Sequence, residues 1–264
     1  MDVPARPILN HAAAARWHPG AAGALHNEVF ASSQDGSGAG LALALARDAL
    51  TNSTRDALMN GARDGEAPAQ VKAEDRRSVL WVQDRAAIRL NGRPFRAGLP
   101  EWLQGRLIHV AAGTPEDALF ALEEGLQCRD LACVIGEMAG NPRALSFTAS
   151  RRLTLAAERH GVPLWLIRLD AAPDLSSARM RWEAAAAPSA PPQWDARAPG
   201  RPAWRAALLR ARNHPPGEWI LDDDGHSLAV RPNAKHAAHA PAASRTPYPV
   251  GLAFASAARS VAAG

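Results

Sequence analysis

Four short, almost uninterrupted apolar segments are spaced along the middle of the sequence, and they constrain the fold more than any other feature. They are SVLWV (78–82), LIHVA (107–111), LACVI (131–135) and PLWLIRL (163–169). Each has the length of a strand, and strands that are apolar on both faces are typical of a parallel sheet covered on each side. Helical patterns separate the segments, so we expect right-handed strand–helix–strand units and an α/β fold.

Three helices are expected around these strands. Thr114 followed by Pro115 and two acids indicates a helix start, because threonine caps a helix, proline fits its first turn and acids favour its dipole. A second helix is predicted with Ser150 as its cap and His160 at its end. A third is predicted from about residue 41 to residue 58, after a glycine-rich stretch.

The pattern changes after residue 174 to short strands joined by turns. We expect strands within residues 178–183, 202–212, 218–221 and 226–231, with the sequence DDDG at 222–225 as a hairpin turn. These strands should extend the same sheet in an antiparallel arrangement. The predicted architecture is therefore a mostly parallel central sheet flanked by helices, with antiparallel strands added at its C-terminal side.

The two ends of the chain differ from this core. Residues 1–20 are rich in alanine and interrupted by proline, and we interpret them as an N-terminal arm. The core is predicted to span residues 21–231, with a polar loop at residues 61–70. Residues 232–264 are rich in alanine, proline, histidine and serine and have few large apolar side chains to bury. This composition predicts a disordered tail.

Composition limits the compartment and the class of partner. No apolar run is long enough to span a membrane, and no secretion signal opens the chain. Cys128 and Cys133 are separated by four residues, which suits neither a redox pair nor a zinc site, so both are predicted to be core residues in a reducing compartment. We expect a soluble, cytoplasmic protein without membrane contact. Residues 197–264 carry 9 basic and 4 acidic side chains, enough for only weak or indirect DNA contact.

The stretch EVFASSQDGSGAGLALAL (28–45) carries the one pattern with chemical meaning. A strand enters a glycine-rich loop and the loop opens an apolar helix, which is the layout of a phosphate-binding loop. A plain glycine-rich turn between a strand and a helix explains the local sequence equally well.

The residues that act on phosphate are missing from this loop. The full motif ends in glycine, lysine and a serine or threonine that holds Mg2+. If Gly38 is the motif glycine, the lysine and hydroxyl positions hold Ala39 and Gly40; if Gly36 is, they hold Ser37 and Gly38. Neither alternative supplies the lysine or the hydroxyl. With no other catalytic pattern in the chain, we expect no catalytic residue, no bound cofactor and no metal.

The order of several motifs resembles a known family. SVLWVQD, LIHVAAGTPEDALFALEEGL, DLACVIGEM and ASRRLTLAAERHGVPLWLIR follow the glycine-rich loop in the order of the RecA ATPase core. The segments RRLTLAAERHGVPLWLIRL, ARMRW and PAWRAALLRAR, with GEWIL downstream, are similar to the C-terminal half of the ImuA family of bacterial SOS proteins, which are distant RecA relatives. The resemblance covers about residues 21–230 and implies a RecA-like core.

The resemblance also implies which residues of an ATPase site have changed. A RecA core places a water-activating glutamate after its second nucleotide-site strand, and here Asp84 lies near that place. A later strand would end in an aspartate that orders Mg2+, where this chain has Gly136 and Glu137. Several parts of the site are altered together, so the resemblance implies a protein that does not hydrolyse ATP.

Relatives of this kind are implied to act through other proteins in SOS-induced translesion DNA synthesis and DNA repair. The implied partners are an ImuB-like relative of Y-family polymerases, the error-prone DNA polymerase III α subunit and RecA itself. The side chains predicted to contact partners are Arg151, Arg152, Arg179, Arg181, Arg205 and Arg210. Two alternatives stay open: a nucleotide-binding switch and a binder of single-stranded DNA.

Overall fold

A nine-stranded sheet runs through the computed structural model, which describes residues 24–61, 75–195, 197–212 and 214–231. In chain order the strands are β1 (His26–Ala31), β2 (Ser78–Asp84), β3 (Leu107–Ala112), β4 (Leu131–Ala139), β5 (Leu164–Leu169), β6 (Met180–Ala186), β7 (Ala203–Ala211), β8 (Gly217–Asp223) and β9 (Leu228–Val230). Their order across the sheet is β3-β2-β4-β5-β1-β6-β7-β8-β9. The first six strands are parallel, and β7, β8 and β9 continue the sheet in antiparallel pairs.

Four helices cover this sheet. They are α1 (Ser37–Gly61), α2 (Arg85–Asn91), α3 (Pro115–Gln127) and α4 (Phe147–His160), and two short 3-10 turns lie at Arg96–Gly98 and Glu101–Leu103. One apolar cluster joins α1 and α2 to one face of the sheet, and a second joins α3 and α4 to the other. The predicted α/β architecture, with a parallel centre and an antiparallel C-terminal extension, is therefore confirmed.

The antiparallel extension is held to the rest of the core by α1. Trp182 on β6, Trp204 on β7 and Leu221 on β8 are buried in the same cluster as the first turns of that helix. The Arg47 guanidinium on α1 also donates to the Asp223 carboxylate on β8 at 2.8 Å. Helix α1 thus packs against both the parallel centre of the sheet and its antiparallel extension.

Several predicted boundaries are wrong by a few residues. Helix α1 begins at Ser37, four residues earlier than predicted. Helix α4 is capped by Ser146, whose Oγ accepts the Ala149 N–H at 3.3 Å, and Ser150 is a buried residue inside the helix. Strand β4 continues to Ala139. The Thr114 cap of α3 and the hairpin of β8 and β9 are confirmed, but the turn lies at residues 224–227 because Asp222 and Asp223 are paired in β8.

One helix and one cysteine differ from what the sequence predicts. Sequence reasoning missed α2, whose seven residues RAAIRLN have no extended apolar period. Cys133 is buried as predicted, whereas Cys128 follows the end of α3 and is exposed, so it is not a core residue. The predicted arm (1–20), the tail (232–264) and most of the 61–70 loop lie outside the described residues. Among the helices described, none is both long and apolar enough to cross a membrane.

Candidate functional site

The glycine-rich loop leaves the end of β1 and meets α1 at Ser37. Gly36 is the residue directly before the helix, and the Gly40 N–H makes the first helical hydrogen bond to the Gly36 carbonyl at 2.9 Å. The last glycine of a phosphate-binding motif opens a helix in the same way. If the loop is read as a phosphate-binding motif, this helix start corresponds to the register in which Ser37 holds the lysine position and Gly38 the Mg2+-ligand position.

Three N–H groups of this loop are bonded to the protein's own oxygens. The Ser37 N–H donates to the Asp35 carboxylate at 2.9 Å, and the Ser33 N–H donates to the Asp170 carboxylate at 2.9 Å. The Gln34 N–H donates to the Ser32 hydroxyl at 3.1 Å. Backbone N–H groups at a helix start are the donors that hold phosphate in such loops. Here two carboxylates accept from them, which adds negative charge where a phosphate would bind.

Asp170 fixes the loop to the end of β5. The Ser33 hydroxyl donates to Asp170 at 2.5 Å in addition to the backbone bond, and these bonds lower the pKa of the Asp170 carboxyl. Asp170 has a φ of 50°, a conformation that aspartate tolerates better than most residues. The loop is thus held to the end of β5 by two hydrogen bonds from Ser33 to one carboxylate.

Close packing explains why no hydroxyl occurs at position 38. A Cβ added to Gly38 would lie 2.7 Å from the Ala31 Cβ and 3.1 Å from the Ile167 Cγ2. A Cβ added to Gly40 would lie 2.8 Å from the Trp204 ring. The start of α1 is therefore seated directly on β1, β5 and β7, and a threonine at position 38 does not fit without movement of the sheet.

A cavity of about 430 Å³ opens beside the loop, at the carboxyl ends of β1, β2 and β4. The loop lines it with Ser33 and Asp35, and the segment after β2 lines it with residues 90–95, 98 and 99. Trp81, Gln83 and Glu137 form the floor. Crevices at the carboxyl ends of parallel strands are the usual ligand sites of open α/β sheets.

Glu137 is the buried acid at the centre of this floor. It lies within β4 and is 1% exposed, so the prediction that β4 ends before it is wrong. Its carboxylate accepts from the Trp81 indole at 3.2 Å, the Gln83 amide at 2.9 Å and the Asn91 amide at 2.9 Å. Burial raises the pKa of Glu137, and these three bonds act in the opposite direction.

His109 extends the same network to the edge strand β3. Its Nε2 lies 2.9 Å from the Gln83 Oε1, so both ends of the Gln83 amide are bonded. Burial and the charge of Arg93 lower the pKa of His109. The network fixes the orientation of Gln83, which in turn holds Glu137.

Asp84 does not take part in this site. Its carboxylate accepts the Ala87 N–H at 2.6 Å and caps α2, and the residue is 1% exposed. Gln83, the residue before it, lines the cavity instead. Because Asp84 is held as a helix cap, it is not positioned like a group that activates water beside the loop.

The predicted partner-binding arginines differ in exposure and in their ion pairs. Arg151, Arg152 and Arg210 are exposed, although Arg152 pairs with Glu123 on α3. The Arg179 side chain donates to Glu158 at 2.6 Å. Arg205 pairs with Glu218 at 3.3 Å and Glu183 at 3.7 Å.

Arg181 is a correction to that prediction. It is 8% exposed, and its Nε donates to the buried Glu28 at 2.8 Å. Its guanidinium also lies 4.9 Å from the centre of the Phe30 ring, and Arg168 lies 5.5 Å from the same ring. Arg181 is a member of a buried charge network and is not available to a partner.

One face of α4 carries a pattern that sequence reasoning missed. Phe147, Arg151, Leu155 and Arg159 follow one another at intervals of four residues and therefore lie along one side of the helix. All four are exposed, and Phe147 and Leu155 are 41% and 51% exposed although they are large and apolar. We call these four residues the α4 stripe. The four-residue spacing was the sequence signal that could have found it.

Comparisons with known proteins do not place the chain in a family. No family model matches the sequence, and no curated protein matches it significantly. Within the described ranges, no group of three or more histidine, cysteine, aspartate or glutamate side chains is arranged to hold a metal ion.

Proposed function

We propose that this chain is a non-catalytic, RecA-like accessory protein of the ImuA type, acting in the cytoplasm in SOS-induced translesion DNA synthesis and DNA repair. In this role it binds an ImuB-like relative of Y-family polymerases, the error-prone DNA polymerase III α subunit and RecA. The proposal rests on the resemblance of the ordered motifs to those families and on the state of the glycine-rich loop.

The bond between Asp35 and Ser37 is the observation that carries the non-catalytic part. Phosphoryl transfer depends on positive charge and N–H donors that stabilise the phosphate oxygens. Here the lysine position is a serine, the Mg2+ position is a glycine, and a carboxylate accepts the N–H at the helix start. Such a loop retains the shape of a nucleotide site while lacking its electrostatics.

The α4 stripe supports the adaptor part of the proposal. Protein interfaces are enriched in arginine and large apolar side chains near their centres. The stripe presents Phe147 and Leu155 on either side of Arg151, one helical turn apart. No ion pair of Arg151 is found among the described residues, so its charge is available to an acidic group of a partner.

The test is binding of the purified full chain to the ImuB-like relative, measured by biolayer interferometry. The variant Arg151→Glu/Leu155→Glu reverses the charge and removes the apolar surface of the stripe, and we expect at least about tenfold weaker binding. Arg85→Glu is the matched control, because Arg85 is exposed on α2 at the other face of the sheet. Unchanged binding by the stripe variant, with its circular dichroism spectrum intact, overturns the assignment of the surface. Absence of binding by the wild-type chain overturns the partner.

A further inference from the structure

We propose that the cavity between the glycine-rich loop and residues 90–99 binds a guanidinium or ammonium group carried on an apolar stem, as in an arginine or lysine side chain. This site has the opposite charge preference to a phosphate site. The inference uses only the lining of the cavity, so it stands or falls independently of the adaptor role.

One carboxylate oxygen on the floor of the cavity can accept a further hydrogen bond. A carboxylate offers about four lone-pair positions, and Glu137 uses three of them for Trp81, Gln83 and Asn91. Two of those bonds go to Oε2 and one to Oε1, which leaves Oε1 able to accept another donor. Among the described residues, no arginine or lysine nitrogen lies within 4.0 Å of this carboxylate. A buried acid with three neutral donors and no cation is favourable for an incoming positive group.

The loop wall adds a second acceptor of the same kind. Asp35 Oδ1 accepts the Ser37 N–H, whereas no donor from the described residues bonds to Asp35 Oδ2. Asp35 and Glu137 both line the cavity. Two ionised acids that line one cavity attract a cation and repel a phosphate.

The one cation on the lining does not neutralise these acids. Arg93 is exposed, and its charge also lowers the pKa of His109 on β3. Neither Asp35 nor Glu137 forms an ion pair with it within 4.0 Å in the part of the chain that the structure describes. With both acids ionised, the described residues of the lining carry one more negative than positive charge.

The rim suits the hydrocarbon stem of such a ligand. Leu90 and Phe95 line the cavity and are 47% and 76% exposed, although both side chains are apolar. Long cationic side chains bury their methylene stems on apolar surface and stack their heads on aromatic rings. The volume of about 430 Å³ lies in the range of small-ligand sites.

The test is a titration of the full chain with N-acetyl-arginine amide. Binding is monitored through the nuclear magnetic resonance shifts of the tryptophan indole N–H groups. N-acetyl-citrulline amide has the same shape without the charge and serves as the matched ligand. We expect saturable binding of the arginine compound and at least about tenfold weaker binding of the citrulline compound. Equal binding of the two compounds, or no binding of the arginine compound, overturns the proposal.

Variants locate the site. Asp35→Asn keeps the oxygen that accepts the Ser37 N–H and removes the charge, and we expect about two- to fivefold weaker binding. Glu137→Gln removes the buried charge, and we expect about tenfold weaker binding or more. Glu101→Gln is the control, since Glu101 is exposed in a 3-10 turn and does not line the cavity. If Asp35→Asn folds and binds as tightly as the wild type, the site is not this cavity.

A second probe separates the two sources of such a group. A peptide with arginine between glycines presents the same head on a protein backbone, and a tighter fit than the free amide indicates a protein segment as the natural occupant. Equal affinity indicates a small-molecule cation. Both results support the charge preference, whereas displacement of the arginine compound by inorganic pyrophosphate contradicts it.

Discussion

The Asp35 Oδ1 accepts the backbone N–H of Ser37 at 2.9 Å, at the point where α1 begins. In a phosphate-binding loop this N–H would point at a phosphate oxygen. An aspartate two residues before the N–H can form such a bond locally, so the first N–H of α1 is satisfied within the loop itself.

The packing at Gly38 predicts that the motif cannot be restored by substitution. Gly38→Ser places a Cβ within 2.7 Å of the Ala31 Cβ, and we expect a loss of about 1–3 kcal/mol of unfolding free energy, measured by urea denaturation. Gly36→Ser is the matched control, because a Cβ at Gly36 meets nothing within 4 Å and serine is a good helix cap. Equal stability of the two variants would show that α1 is not seated as described.

The burial of His26 predicts that the unfolding free energy of the protein decreases at acid pH. Burial, with a further contribution from the charge of Arg179, lowers the pKa of His26 from 6.5 to about 3. Between these values the unfolded chain binds the proton and the folded chain does not. The unfolding free energy therefore falls as the pH falls below 6.5, by up to about 1.4 kcal/mol per pH unit.

The measurement is urea denaturation of the wild type and of His26→Gln at pH 7, 5.5 and 4. The difference in stability between the two proteins should shift against the wild type as the pH falls, because only the wild type carries the histidine. His226→Gln, which replaces an exposed histidine, should keep the wild-type pH dependence. A pH dependence that is the same in His26→Gln and in the wild type would refute the assignment.

The buried Glu137 predicts a pH dependence of the unfolding free energy with the opposite sign to that of His26. Burial raises its pKa above the ordinary value of 4.5 in the folded state, so above pH 4.5 the folded chain holds the proton longer than the unfolded chain. The contribution of the neutral acid is fully present below pH 4.5 and is lost as the pH rises through the folded pKa, by at most about 1.4 kcal/mol per pH unit.

Comparing the wild type with Glu137→Gln isolates this effect. The stability of the wild type relative to the variant should decrease as the pH rises from 4 to 8, in chemical denaturation. Glu101→Gln provides the same substitution at an exposed site. A difference between wild type and Glu137→Gln that stays constant over this range would contradict a raised pKa.

The sheet could be predicted from the sequence because its strands are locally encoded. The apolar segments at β2, β3, β4 and β5 are continuous enough to be found one at a time. The start of α1 was missed for a physical reason. Glycine is a poor helix former, so Gly38 and Gly40 indicated a loop, whereas contact with Ala31 and Trp204 places both inside the helix.

The site was harder to predict because its members are distant in sequence. Trp81, Asn91 and Glu137 meet only after β2 and β4 pair and α2 folds over them. The Asp35 bond is different, since an aspartate two residues before a helix start is a local signal. The missing lysine is the more conspicuous change in the loop, whereas Asp35 bonds to the helix start at a position that the phosphate-binding motif leaves unspecified.

Equilibrium binding of a fluorescent ATP analogue tests the central claim most directly. The full chain is titrated in the presence of Mg2+, with and without single-stranded DNA, up to about 100 μM protein. This range detects binding with a dissociation constant as weak as about 100 μM. We predict no saturable binding, because the loop has no lysine and Asp35 accepts the N–H of Ser37 at the helix start. Saturable binding at micromolar concentration or below would contradict the account and make the chain a nucleotide-binding protein.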